Sequence, residues 1–407
     1  MGNVLIVGAG GVAHVAAHKC AQYNDVLGDI CIASRTLSKC NGIIDSVHRK
    51  DSLKDPSNRI YSRQVDALNM RQVIKLIEET HSDIILNLGS AFVNMTVLDA
   101  CIEAGVTYID TAIHEEPDRV ASICEPPPWY GNYEWKRKEV CAKKGINAIL
   151  GIGFDPGVVN AYAALAARDF FDDIDSIDIL DVNIGSHGRY FATNFDPEIN
   201  FREFTGRAWS WVDREWVESE IHADKMVYDF PEVGPQTVYL TGHDEIHSLS
   251  QNLNINSIRF WMGFGSHYIN VFTVLKNLGL LSEKPVRTAE GVEVVPLKVV
   301  KACLPDPMSL AQGYTGKTCI GNLTRGTKNG IPKEVFIYNI CDHEECYKEV
   351  EAQAISYTAG VPVAAAAILV RQGIWNPGCM ANVEELDPTP LIDLIGKMGL
   401  PTEIISK

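Results

Sequence analysis

Short apolar runs recur through the first part of the chain, and each is followed by a segment long enough for a helix. Val4–Val7, Ile30–Ala33, Asp83–Asn87, Val106–Ile109 and Asn147–Leu150 read as buried strands, and a further strand ends near Gln64-Val65-Asp66. Between them, apolar residues return at helical spacing, as in Met70, Val73, Ile74 and Ile77, or Met95, Leu98 and Ile102. Residues 12 to about 23 and about 133 to 144 also read as helices. Six strand–helix alternations predict an α/β fold, a Rossmann doubly wound parallel sheet.

The pattern changes after about residue 160. Ile177–Ile184 reads as a long strand, and 195–216 is rich in tryptophan. Val227–Phe230, Thr237–Leu240, Ile258–Phe264 and Val335–Ile340 alternate as half-buried strands do. An α+β second domain with a mixed or antiparallel sheet follows from this. Near the end, Pro362 is expected to open an alanine-rich helix closed by Gly373, and Pro390 another. The expected division is residues 1–156 for nucleotide binding and 157–355 for substrate binding and dimerisation. Residues 356–407 are expected to form helices returning to the nucleotide domain.

Composition narrows the class. The chain has 407 residues, with 46% hydrophobic and 22% charged residues, as expected of a globular protein with a sizeable core. The net charge of −16 argues against nucleic acid or an anionic membrane as a partner and suits a cationic substrate. Eleven scattered cysteines without a C-x-x-C read as reduced thiols, and no secretory or membrane-spanning segment is recognised. A cytoplasmic location is expected.

The candidate chemistry begins at Gly8-Ala9-Gly10-Gly11-Val12-Ala13, a G-x-G-x-x-A turn between strand and helix. Gly8 makes the turn and Gly10 lets backbone approach a pyrophosphate. Gly11 and Val12 begin the helix whose N-terminus attracts that anion. The second strand ends in Ser34-Arg35-Thr36, where an NAD-binding fold would carry an acidic residue; these donors suit a 2′-phosphate, so NADP(H) is expected. Asp66 reads as an adenine-side contact or as the N-cap of the next helix. Asn87, Gly89 and Ser90 end the fourth strand at the carboxyl edge of the sheet, where ligands bind, and Asp110-Thr111 end the fifth.

Asp155, in the Gly153–Gly157 turn after the sixth strand, is the sharpest catalytic candidate. His243, in Thr241–Glu245, is a general acid/base candidate, with Asp244 beside it. Arg202 or Arg207 could hold a carboxylate. Cys341-Asp342-His343-Glu344-Glu345-Cys346 reads as a strand end and polar turn, with no metal expected, because a second cysteine pair at zinc spacing is missing.

Gly8–Val12, Ala33–Thr36, Gly153–Gly157, Gly242–Glu245 and Ser356–Pro362, in this order, resemble the saccharopine dehydrogenase family. Within it, the chain is similar to the branch that makes carboxynorspermidine and carboxyspermidine. The resemblance implies NADPH-dependent reductive condensation of L-aspartate β-semialdehyde with 1,3-diaminopropane or putrescine through an imine. It implies that Asp110, Thr111 and Asp155 lie where substrate is held, that Arg207 is a carboxylate-binding arginine, and that 242–244 form another substrate segment. A saccharopine reductase, a homospermidine synthase-like aminoalkyl transfer and a non-catalytic NADP(H)-binding regulator are the competing readings. A homodimer is expected from the strands of the second domain.

Overall fold

A computed structural model describes residues 2–406. Its nucleotide unit is a parallel sheet. The strands β1 (Asn3–Val7), β2 (Ile30–Ser34), β3 (Ile60–Gln64), β4 (Ser82–Asn87), β5 (Thr107–Asp110) and β6 (Ala148–Leu150) correspond to the six apolar runs. Their order is β6-β5-β4-β1-β2-β3, every neighbour pair parallel. The connection reverses direction between β1 and β4, so a crevice opens at the carboxyl ends of these two strands.

The second unit carries β7 (Asp173–Asn183), β8 (Arg207–Val212), β9 (Glu215–Glu220), β10 (Lys225–Phe230), β11 (Gly234–Thr241) and β12 (Ile255–Gly263). A two-residue hairpin, β13 (Val286–Arg287) and β14 (Glu293–Val294), precedes β15 (Lys317–Lys328) and β16 (Ile331–Asp342). The main order is β10-β11-β12-β7-β15-β16, and β8 and β9 branch from β12. β12 and β7 run parallel and the other neighbours antiparallel, so the sheet is mixed.

The C-terminal segment departs from the expected helices alone. β17 (Met380–Asn382) adds a seventh parallel strand beside β6, and β18 (Glu403–Ser406) pairs antiparallel with β16. The tail therefore stitches both sheets together. Pro362 does not open a helix; it lies inside Ala354–Arg371. Tertiary packing overrides its helix-breaking tendency. A Cβ on Gly360 would sit 2.6 Å from Val15 Cβ and 2.9 Å from the Val12 carbonyl oxygen, so this helix is pressed against the first helix, Gly11–Gln22. By length and composition it could cross a membrane, but 72% of it is buried in the core.

The glycine turn is fixed by sterics. Gly8 has φ +123°, and a Cβ there would lie 2.2 Å from the Leu88 carbonyl oxygen. Gly8→Ala is expected to destabilise the fold by about 1–3 kcal/mol, read as a lowered urea midpoint with an unchanged slope.

Candidate active site

A cavity of about 280 Å³ lies at the crevice between the β1, β2 and β4 ends, and Gly8, Ser34, Arg35, Asp66, Gly89 and Ser90 are on its wall. Its chemistry fits an adenosine phosphate. Arg35 is exposed and its guanidinium makes no ion pair among the described residues, which leaves its donors for a 2′-phosphate. Gly10 caps the first helix, and a Cβ there would meet nothing within 4 Å, so its backbone is open to a pyrophosphate.

The other cofactor candidates are placed differently. A Cβ on Gly11 would lie 2.3 Å from Ser356 Oγ, and the Val12 carbonyl backs onto Gly360. These two residues therefore face the C-terminal helix, and only their backbone N–H groups belong to the helix N-terminus. Thr36 caps the helix Leu37–Arg49 and exchanges hydrogen bonds with Ser34 through its backbone. Asn87 is buried and donates through Nδ2 to Asn94 Oδ1 at 2.8 Å and to the Tyr108 hydroxyl at 3.1 Å, behind the cavity wall. Asp66 is not the N-cap of the next helix; Asn69 is, accepting from the Gln72 N–H at 3.2 Å.

A second cavity, about 80 Å³, lies between the two units, where Ala91 and Ile113 face Glu203, Arg207, His243 and Asp244. Asp244 Oδ2 accepts the Ile113 N–H at 2.8 Å and so ties the loop after β11 to the loop after β5. Asp110 is not on this wall. It is 0% exposed, and its Oδ1 accepts the Gly151 N–H at 2.7 Å. It braces the turn that carries Asp155, because β5 ends one layer beneath that turn. Thr111, half-buried, lies against Gly153 of the same turn. Arg207 reaches the cavity, but its guanidinium already meets Glu218 at 3.1 Å and Glu220 at 2.7 Å. Arg202 is fully committed. It binds Glu283 at 2.6 Å, Glu115 at 3.1 Å and the Pro117 carbonyl at 2.6 Å, which positions the loop beside the cofactor cavity.

His243 stacks on Phe260 at 4.2 Å and shares a 2.5 Å hydrogen bond with Glu245 through Nδ1. Burial opposes its charge. Glu245, Asp155 and Glu203 outweigh burial and hold the imidazole protonated well above its ordinary range. Asp155 is half-buried, and apart from its own backbone N–H its carboxylate has no hydrogen-bond donor among the described residues. Desolvation and the neighbouring Asp181 raise it well above the usual carboxylate range, and His243 pulls the other way.

Asp244 is joined by Asp181, Glu203 and Glu115 in the same region. Burial pushes Asp181 up to about 7, Glu203 to about 8, Asp244 to about 6 and Glu115 to about 7. Glu203 and Glu245 each leave one buried oxygen without a hydrogen-bond partner. Such a set can accept organic cations and exchange protons near neutral pH.

Cys341 and Cys346 are buried with their sulfurs 3.2 Å apart. Asp342 between them caps the helix His343–Val350, and His343 is turned toward Asn183 and Ala354. The segment is a strand end and a helix start.

Comparison with known proteins gives the family and the fold. Residues 4–149 match the family model described as saccharopine dehydrogenase NADP binding domain, and 153–400 the saccharopine dehydrogenase C-terminal domain. The chain is 45% identical over 397 residues to a carboxynorspermidine synthase of Vibrio alginolyticus, covering 98% of this chain and 95% of the relative. It is 41% identical over 405 residues to a carboxyaminopropylagmatine dehydrogenase of Synechocystis, covering 98% and 97%. The fold matches the L-Glu-forming saccharopine dehydrogenase of Saccharomyces cerevisiae with a TM-score of 0.72 over 100% of both chains, at 12% identity.

Proposed function

Because the chain belongs to the saccharopine dehydrogenase family, we propose that it catalyses the NADPH-dependent reductive condensation of L-aspartate β-semialdehyde with a diamine, 1,3-diaminopropane or putrescine. The product is carboxynorspermidine or carboxyspermidine. The observation that carries this reading is the carboxyl cluster around His243, set beside a cavity suited to NADP(H). A diamine enters as a dication and needs carboxylates. A glutamate co-substrate, as in saccharopine formation, would bring two more negative charges into a site where Arg202 is already spent and Arg207 is paired.

The reaction consumes one aldehyde, one ammonium, NADPH and one proton, and yields a secondary ammonium, NADP and water. When bound, NADPH supplies the hydride that reduces the C=N bond. Asp155 takes the proton that the reacting ammonium must lose before its nitrogen attacks the aldehyde. His243, held as imidazolium by Glu245, gives a proton to the carbinolamine oxygen as it leaves as water. Asp110 keeps the Asp155 turn in place through Gly151, and Asp244 keeps the two units in register. Ser34, Arg35 and the 8–10 turn hold the cofactor.

A cytoplasmic homodimer is part of the same proposal, supported by the acidic net charge, the free and mostly buried thiols and the exposed Ile404 and Ile405 of the β18 edge. Assaying NADPH oxidation with aspartate semialdehyde and each diamine tests the function. Amine-dependent turnover is expected; turnover with glutamate exceeding that with every diamine would overturn it.

The raised carboxyls give a pH prediction. In the apo protein, burial keeps protons on Asp181, Asp244 and Glu203 up to about 7, 6 and 8, whereas an unfolded chain releases them near 4. The folded state thus binds more protons, so apo stability falls as pH rises from about 4 to 8. A dication replaces those protons. Its stabilising effect should grow over the same range, so 1,3-diaminopropane should raise the melting temperature more at pH 8 than at pH 6. Equal shifts at both pH values would contradict this.

A further inference from the structure

Asp181 occupies a position where the apolar parity of β7 should continue. Ile177, Ile179, Asp181 and Asn183 share one face of the strand, since side chains alternate across it. The two isoleucines are buried in the core shared with the nucleotide unit. Asp178, on the opposite face, is satisfied by Trp261 Nε1 at 2.9 Å and Arg325 at 2.8 Å. Among the described residues Asp181 has no such partner; its Oδ1 is buried without a hydrogen bond. An unpaired buried carboxylate oxygen is costly unless something charged or hydrogen-bonding comes to it.

What Asp181 borders is a third cavity, about 150 Å³, separate from the two already described. Its walls are aromatic. Phe191, Tyr268 and Phe264 form a stacked row with ring centroids 5.1 and 5.3 Å apart, and Tyr190 and Tyr314 stand on other sides. No lysine or arginine lines it among the described residues. The helix Pro197–Thr205 separates it from the His243 cavity, presenting Asn200 to one and Glu203 to the other. Asp181 is close enough to Asp155 and His243 to act on both electrostatically. Asp181 thus lies on the chamber wall and within electrostatic reach of the Asp155–His243 group, where the reacting amine is expected to lie.

Aromatic faces around a lone carboxylate are a receptor for an organic cation, through cation–π attraction and a charge-assisted hydrogen bond. We propose that this chamber receives the far, non-reacting cation of the amine substrate, with Asp181 as counter-ion among the aromatic side chains that line it, Phe191 at one end of the stacked row. The inference rests on the amine-condensing reading above and adds to it the site that selects a dication over a monoamine. A primary ammonium and a guanidinium share the required chemistry.

Calorimetric binding to the NADP-loaded protein tests the proposal without turnover. The probes are 1,3-diaminopropane, putrescine, agmatine and propylamine, which lacks the second cation. The wild type should bind at least one dication about tenfold or more tighter than propylamine. The ranking of the three dications tells which cation and chain length the chamber takes. Asp181→Asn should remove most of that preference, weakening the dications far more than propylamine. Phe191→Leu, which keeps the charge, should weaken the dication by about 2–30-fold. A wild type with no preference for any dication, or an Asp181→Asn protein that keeps it, would overturn the proposal. Turnover measured in parallel separates the two readings. A dication preference without any condensation would sink the proposed reaction and leave this chamber standing; condensation without the preference would do the reverse.

Discussion

Asp155→Asn is expected to lower kcat/KM for the condensation by about 10²–10⁴-fold while NADPH binds as before. The size follows from the role. The attacking nitrogen arrives protonated, and a positioned base removes a proton that water in a closed cleft cannot take as readily. Asp155 is suited to this because burial and Asp181 make it more basic than an ordinary carboxylate and, among the described residues, its oxygens are not used by other side chains. Asparagine keeps the shape and loses the proton acceptor. Asp155→Glu should recover part of the activity, and a more alkaline pH, where more amine is free, should partly rescue Asp155→Asn. A merely structural residue would show neither. Activity within threefold of wild type in Asp155→Asn would remove Asp155 from the mechanism.

Arg35→Ala carries the second large effect. Charge-assisted bonds to a phosphate contribute about 1.5–3 kcal/mol, so KM for NADPH should rise about 10–100-fold. KM for NADH should stay within about twofold, because NADH has no 2′-phosphate to lose. Among the described residues the guanidinium has no competing ion pair, so its removal leaves no buried carboxylate unpaired and the fold should be unaffected. An equal loss for both cofactors would mean that Arg35 holds something other than the 2′-phosphate.

Much of this architecture was legible because its signals are local. A run such as Val4–Val7 followed by Gly8 and Gly10 states a strand, a turn and a helix start within ten residues, and the first six of the seven parallel strands follow the same strand-then-helix alternation. The cofactor cavity inherited this clarity. The C-terminal elements were harder to see. Met380–Asn382 is too short to announce itself as a strand, and Pro362 sits within a helix that packs against Val15 at Gly360, a contact that only the tertiary fold makes. Of the site, Asp155, His243 and Asp244 could be placed because each follows a strand.

Glu203 and Asp181 could not be placed in the same way. They come from a helix and a strand that meet only in the tertiary fold, and Glu203 looks like an ordinary polar position beside Arg202. Asp181 did carry a signal, an acid on the parity of Ile177 and Ile179. Asp110 shows the converse. It was rightly placed at the sheet edge, but the turn above it covers it completely, so it supports the site from below.

Label transfer tests the central claim most directly. Aspartate semialdehyde, 1,3-diaminopropane and NADPH deuterated at the nicotinamide C4 are incubated with the enzyme, and the product is weighed by mass spectrometry. The account predicts a secondary amine joining the two carbon skeletons, with one deuterium on the former aldehyde carbon. Deuterium appearing instead in the amino alcohol formed by direct reduction of the aldehyde, with no carbon–nitrogen bond made, would contradict it.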